Sequence, residues 1–102
     1  MVLTLEQRLA RKGFTVTQAR IVAALYNSAG VILSRDAISV AVFGRNDLEM
    51  GVTVAQWLFR ARKRLAALGV EILTIHGQGY MLTIEARDLL GAILSRHDES
   101  PE

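Results

Sequence analysis

Thr53-Val54-Ala55-Gln56-Trp57-Leu58-Phe59-Arg60-Ala61-Arg62-Lys63-Arg64-Leu65-Ala66-Ala67-Leu68 is the stretch whose periodicity decides how this chain folds. At about 100° per residue, Val54, Leu58, Ala61 and Leu65 fall within an arc of roughly 60°, which predicts an amphipathic helix. Thr53, Gln56, Trp57, Arg60, Lys63 and Arg64 occupy the opposite side. Arg60, Arg62, Lys63 and Arg64 make up a third of the chain's 12 basic side chains. Such density marks either an anion-binding face or a solvated helix surface. Trp57 adds a second observation, because a large aromatic gains most when it is partly buried or touches a partner. It either meets a partner together with the cations or packs against the preceding segment, 45–51.

Upstream, Thr4-Leu5-Glu6-Gln7 and Thr15-Val16-Thr17-Gln18 both have the spacing of a capping box. They predict a helix from Leu5 to Lys12, closed by Gly13, and a second from Val16 to Ser28 with an apolar stripe of Ile21, Val22, Leu25 and Tyr26. Ser34 is the expected N-cap of a third helix, Arg35 to Phe43, turning Ala37, Ile38, Ala41 and Val42 inward and ending at Gly44. Arg45 to Gly51 is polar and aperiodic, so it reads as a loop. Downstream, the runs 70–75 and 80–83 read as strands around His76-Gly77-Gln78-Gly79, a hairpin tip. A last helix is expected from Ile84 to Arg96, with Ala86, Leu89, Leu90 and Ile93 inward.

The composition narrows the function. The 102 residues are 51% hydrophobic and 22% charged, as in one globular domain, and scaling predicts that about 65% of the unfolded surface is hidden on folding. There is no Cys and there are only two His, so thiolate chemistry and a Cys or His metal site are not expected. The Gly77-Gln78-Gly79 pair lacks the third glycine and following helix of a dinucleotide site, and no phosphate-binding lysine follows a glycine run. Neither an enzyme nor a cofactor is expected. No apolar run is long enough for a membrane span and no secretory signal is evident, so the expected location is the cytoplasm, on the nucleoid when bound to DNA. The net charge is only +2, but it is uneven, with residues 53–83 carrying +3 and residues 84–102 carrying −3.

The order helix, helix, helix, basic amphipathic helix, glycine-bearing hairpin is that of a winged helix-turn-helix, a mainly α fold with a small β-hairpin. Over residues 14–83 the sequence resembles the DNA-binding effector domains of OmpR/PhoB-type response regulators. The resemblance rests on Phe14 to Val22, on Gly30-Val31-Ile32-Leu33-Ser34-Arg35-Asp36-Ala37-Ile38, and on Phe43-Gly44 where the family has Trp-Gly. It continues through Thr53-Val54, Leu58, Arg60, Arg62-Lys63 and Leu65 of the recognition helix to Ile75-His76-Gly77-Gln78-Gly79-Tyr80-Met81-Leu82 of the wing. The expected layout is one domain: an N-terminal helix within 1–13, a winged-helix core over 14–83, a C-terminal helix within 84–97 and a frayed tail over 98–102.

That resemblance implies a sequence-specific regulator of transcription on double-stranded DNA, with the helix 53–68 in the major groove and the wing 76–79 on the minor groove or backbone. Arg60 and Arg64 become the candidates for guanine or a bridging phosphate, and Gln56 for adenine. Trp57 would press on a thymine methyl or a sugar. Thr53, at the expected helix start, would offer its hydroxyl and the N-terminal amides to a phosphate, with Arg35 and Lys63 as further backbone contacts. His76 and Gln78 would extend from the wing, with Gly77 and Gly79 letting its backbone approach the phosphates, and Tyr80 is either a core ring or a hydroxyl directed at a phosphate or carbonyl.

The departures carry expectations too. Thirteen residues that read as a helix stand where the family has an antiparallel sheet, and the sequence has no receiver domain, which implies a stand-alone effector. Met50-Gly51-Val52 and Trp57 replace the family's basic residue and its His, so base preference should differ; at the wing His76 replaces an Arg, so the wing should hold the minor groove less tightly. The terminal helices carry more apolar residues than one small core needs. They either join two copies into a homodimer or pack over their own core. A protein interaction module that binds RNA polymerase or another regulator is the alternative function.

Overall fold

The computed structural model describes residues 3–44 and 48–98, with side chains over 3–44 and 54–95. Its elements are α1 (Leu5–Arg11), α2 (Val16–Asn27), α3 (Arg35–Phe43), α4 (Leu48–Ala67), β1 (Leu73–Ile75), β2 (Gly79–Met81) and α5 (Ile84–Asp98). This is the winged helix-turn-helix that the order of elements predicts, with a helix added at each end.

Three of the helix starts are fixed by side chains at the expected positions. The Gln7 amide donates to Thr4 Oγ1 at 3.1 Å while the Thr4 amide donates to Gln7 Oε1 at 2.9 Å. Thr15 and Gln18 repeat the exchange at 3.2 and 3.1 Å. The Ala37 amide donates to Ser34 Oγ at 3.0 Å. Each bond satisfies a backbone amide that has no partner within its helix.

One hydrophobic cluster gathers Leu9 of α1, Ile21, Val22 and Leu25 of α2, Ile38 and Val42 of α3, the whole predicted stripe of α4, and Leu90 and Leu94 of α5. Fully burying a side chain of this size contributes roughly 1.5–3 kcal/mol, so the terminal helices are integral to this core. Tyr26 seals the contact between α2 and α5, its hydroxyl so close to Gly91 that a Cβ there would stand 2.7 Å away. The terminal helices pack over the core of their own chain.

Some boundaries and facings differ from expectation. On α3 Ser39 is buried while Ala37 and Ala41 are exposed. Ser39 and Ala41 lie at about equal angles on either side of Ile38 and Val42, so the helices packed against α3, not its own period, turn the inward arc toward Ser39. On α5 the stripe runs through Leu90 and Leu94, and Leu89 is left 44% exposed. Helix α4 starts at Leu48, inside the expected loop. Leu48, Glu49 and Met50 are strong helix formers, and a single Gly51 costs only about 1 kcal/mol in a helix interior. The remaining residues of that loop, 45–47, and the tail residues 99–102 lie outside the described residues.

The strands are shorter than the runs 70–75 and 80–83: beyond their ends the Val70 amide donates to the Leu65 carbonyl at 2.9 Å and the Leu82 carbonyl accepts from the Gly30 amide at 2.8 Å, while Val70, Ile72 and Leu82 are buried in the core. β1 and β2 pair antiparallel, with Leu73 opposite Met81, Thr74 opposite Tyr80 and Ile75 opposite Gly79. A third stretch, missed by strand periodicity, joins the other edge of β2. There the Leu33 amide donates to the Tyr80 carbonyl at 2.8 Å, and the Tyr80 amide donates to the Leu33 carbonyl at 2.9 Å. Gly79 makes this approach possible. A Cβ at that position would overlap the Leu33 carbonyl oxygen and stand 2.7 Å from its carbon and 2.9 Å from Ser34 Cα.

Candidate nucleic-acid interface

On α4 the buried stripe divides the remaining side chains into sectors. Gln56 and Lys63 lie about 170° from its centre, with Phe59 and Arg60 about 130° away on either side. Trp57 and Arg64 lie about 70–90° from the stripe on Arg60's flank, and Arg62 about 70° away on Phe59's flank. The cations that look like one cluster in sequence therefore have four different surroundings.

Arg62 is a strut. Its Nη2 donates to the Ile72 carbonyl at 3.2 Å and to Thr74 Oγ1 at 2.6 Å, tying α4 to β1. This bond places the hairpin on the Phe59 flank of the helix. Arg64 is folded toward the turn between α1 and α2, where a Cβ on Gly13 would come within 2.8 Å of its Nη1. Arg60 lies over the Trp57 ring, 5.3 Å from the centroid, and Lys63 over the Phe59 ring at 5.0 Å. Such cation–π contacts are worth about 0.5–1 kcal/mol at exposed sites and limit the conformations open to each cation. Trp57 itself is half-buried and packs against the core, so it is only partly available to a partner.

Thr53 does not begin a helix. It lies within α4, five residues beyond Leu48, so its amide falls within the span of intrahelical bonding and the free N-terminal amides belong to Leu48 and its successors. The expected helix start at Thr53 is therefore corrected to Leu48. The helix extends one and a half turns further than the apolar period alone indicates.

The other predicted positions meet in a cleft of about 430 Å³ between the first turn of α3, with Arg35 and Asp36, and the wing from Thr74 to Tyr80. His76 and Gln78 are exposed on its wing side. The turn is closed by the Gln78 amide donating to the Ile75 carbonyl at 2.9 Å. Gly77 sits at its tip with φ +78°, and nothing lies within 4 Å of the place a Cβ would take there. Gly79 is turned against Leu33 and Ser34 instead, so its smallness serves the sheet. Tyr80 is half-buried and packs against the core. Asp36 shares the cleft with Arg35, leaving that helix start without net positive side-chain charge.

The profile of the family described as "Transcriptional regulatory protein, C terminal" matches residues 11–82. This chain belongs to that family. Its members are DNA-binding regulatory domains of the OmpR/PhoB type, so this transcriptional regulatory domain binds DNA and regulates transcription. No curated protein and no solved structure matched it. The matched segment contains α2, α3, α4 and the hairpin, while most of α1 and all of α5 lie outside it although both build the domain's core. Among the described residues, no three His, Asp or Glu side chains are grouped as metal ligands, and no helix is long and apolar enough to cross a membrane.

Besides the pairing of Leu33 with Tyr80, the sequence reading passed over Phe59 and Arg62 on α4. Phe59 is 59% exposed on the outward side of α4, a position that the helical period places well outside the apolar arc. Arg62 lies near the edge of that arc, and the same period marks it as a candidate for an internal bond.

Proposed function

We propose that this domain reads a specific duplex sequence by laying α4 in the major groove, with the wing resting on the adjacent backbone or minor groove. The observation that carries the reading is the outward face of α4, where Gln56, Arg60 and Lys63 are exposed together beside the hairpin that Arg62 anchors. Gln56 and Lys63 are seven residues apart, about 10 Å along the axis, which is roughly three base-pair steps. Arg60 has the planar fork that pairs with the two acceptors of guanine, and Gln56 matches adenine in the same bidentate manner. Trp57 holds Arg60 in place and offers its free edge to a sugar or a thymine methyl.

Lys63 and Arg64 supply phosphate contacts, the latter from the flank toward Gly13. Arg35, His76, Gly77, Gln78 and the Tyr80 hydroxyl supply backbone contacts around the cleft. The three phosphates neutralised by Lys63, Arg64 and Arg35 correspond to a log-log salt slope of about −3. Pairing of two copies through the terminal helices would rest on Ile84 and Leu89 of α5, 51% and 44% exposed, because Leu9, Leu90 and Leu94 are committed to the core.

Fluorescence anisotropy against a pool of genomic duplex fragments at about 0.1 M salt tests the reading, with Arg60→Ala alongside. Fragment-selective binding that Arg60→Ala weakens by roughly 5- to 150-fold is the expected result, the worth of one bidentate base contact. Weak binding, equal for all fragments and unchanged by the substitution, would remove sequence reading and favour a protein partner.

A further inference from the structure

Phe59 has no role in the core, in the Arg62 strut or in the base and phosphate contacts assigned above. A phenyl ring 59% exposed to water forgoes much of the stabilisation that burial would bring. Its position narrows the choice of partner. Gln56 and Lys63, its neighbours on the outward side of α4, are exposed and polar or cationic, and Phe59 is the one large apolar side chain exposed among the described residues of α4, on a surface suited to a polyanion. A protein interface would ordinarily place such a ring within a desolvated apolar centre.

Lys63 Nζ covers one face of the ring at 5.0 Å, which leaves the other face and the edge available. The Arg62 bonds to Ile72 and Thr74 hold β1 along the same flank, so the ring lies between the helix face and the hairpin. Among the base edges of the major groove, the one apolar projection is the 5-methyl group of thymine.

We propose that Phe59 is a specificity-determining residue that reads thymine through its 5-methyl group, an inference that rests on the DNA-reading role proposed for α4. The ring excludes water from the methyl, while Lys63, stacked on its far face, is held toward the adjoining phosphates. The chain then discriminates at that base pair without a hydrogen bond from Phe59.

The experiment begins with a duplex selected by the unaltered chain and replaces each thymine in turn by deoxyuridine, which removes only the methyl. At one thymine, binding should weaken by roughly fourfold, the worth of one methyl group taken out of water. Phe59→Ala should bind the thymine and deoxyuridine duplexes equally at that position, and Phe59→Leu should retain part of the preference. Circular dichroism melting of both variants verifies that the exposed site has been altered without loss of fold. If the unaltered chain selects no duplex, the DNA-reading role itself fails and this proposal with it. If selection occurs and depends on Arg60, but no thymine shows a deoxyuridine effect that Phe59→Ala abolishes, the DNA reading stands and the thymine assignment is overturned.

Discussion

Replacing Gly79 by alanine tests whether the wing is held to the body of the domain by close backbone contact. Its φ of +154° lies where side chains are rarely tolerated, which costs about 1–3 kcal/mol. The new Cβ would also stand 2.7 Å from the Leu33 carbonyl carbon and 2.9 Å from Ser34 Cα. Both are backbone atoms at the entrance to α3, so no side chain can rotate aside. Relief requires β2 to move away, at the expense of the paired bonds between Leu33 and Tyr80 at 2.8 and 2.9 Å. At about 1 kcal/mol net for each bond, the total is about 3–5 kcal/mol. For a chain of 102 residues that lowers Tm by about 15 °C or more. Gly77→Ala is the internal control: its φ is +78° but its surroundings are open, so only the conformational cost of about 1–2 kcal/mol applies. Thermal unfolding followed by far-ultraviolet circular dichroism measures both variants. Equal losses, or a Gly79→Ala variant within about 1 kcal/mol of the unaltered chain, would refute the close-contact argument.

Arg62→Ala should act on stability, removing the bonds to Ile72 and Thr74 and lowering ΔG of unfolding by about 2 kcal/mol in a urea titration. The salt slope of DNA binding should stay unchanged, and a slope shallower by about 0.9 would show that Arg62 meets a phosphate instead. Leu94→Ala should cost about 2–5 kcal/mol by the same titration, because this side chain of α5 is buried outside the family's matched segment. A loss below about 1 kcal/mol would detach α5 from the core. His76→Arg should tighten duplex binding at pH 7.5 and steepen the salt slope by about 0.9, whereas an unchanged slope would place the wing tip away from phosphate.

Local chemistry was legible wherever the interaction lies within a few residues. Thr4, Thr15 and Ser34 cap helices because each bonds an amide three positions ahead, and Val54, Leu58, Ala61 and Leu65 are buried because one period aligns them. Helix α4 begins before that period becomes visible, so Thr53 was misjudged as its start. The facing of Ala37, Ala41 and Leu89 depended on which neighbour each helix met. The candidate interface was legible as residue types, with Gln56, Arg60 and Lys63 exposed together on α4.

The sequence by itself determined the order of elements, the caps, the main apolar stripe and the family, all of which follow from spacing along the chain. The tertiary structure decided what Arg62 and Arg64 do. Arg62 bonds to groups 10 and 12 residues away and Arg64 lies against Gly13, whereas Arg60 and Lys63 stack on rings three and four residues back along the same helix, a spacing the helical period already contains. Charge is a property of a residue, but its availability to DNA depends on contacts between segments that only folding brings together.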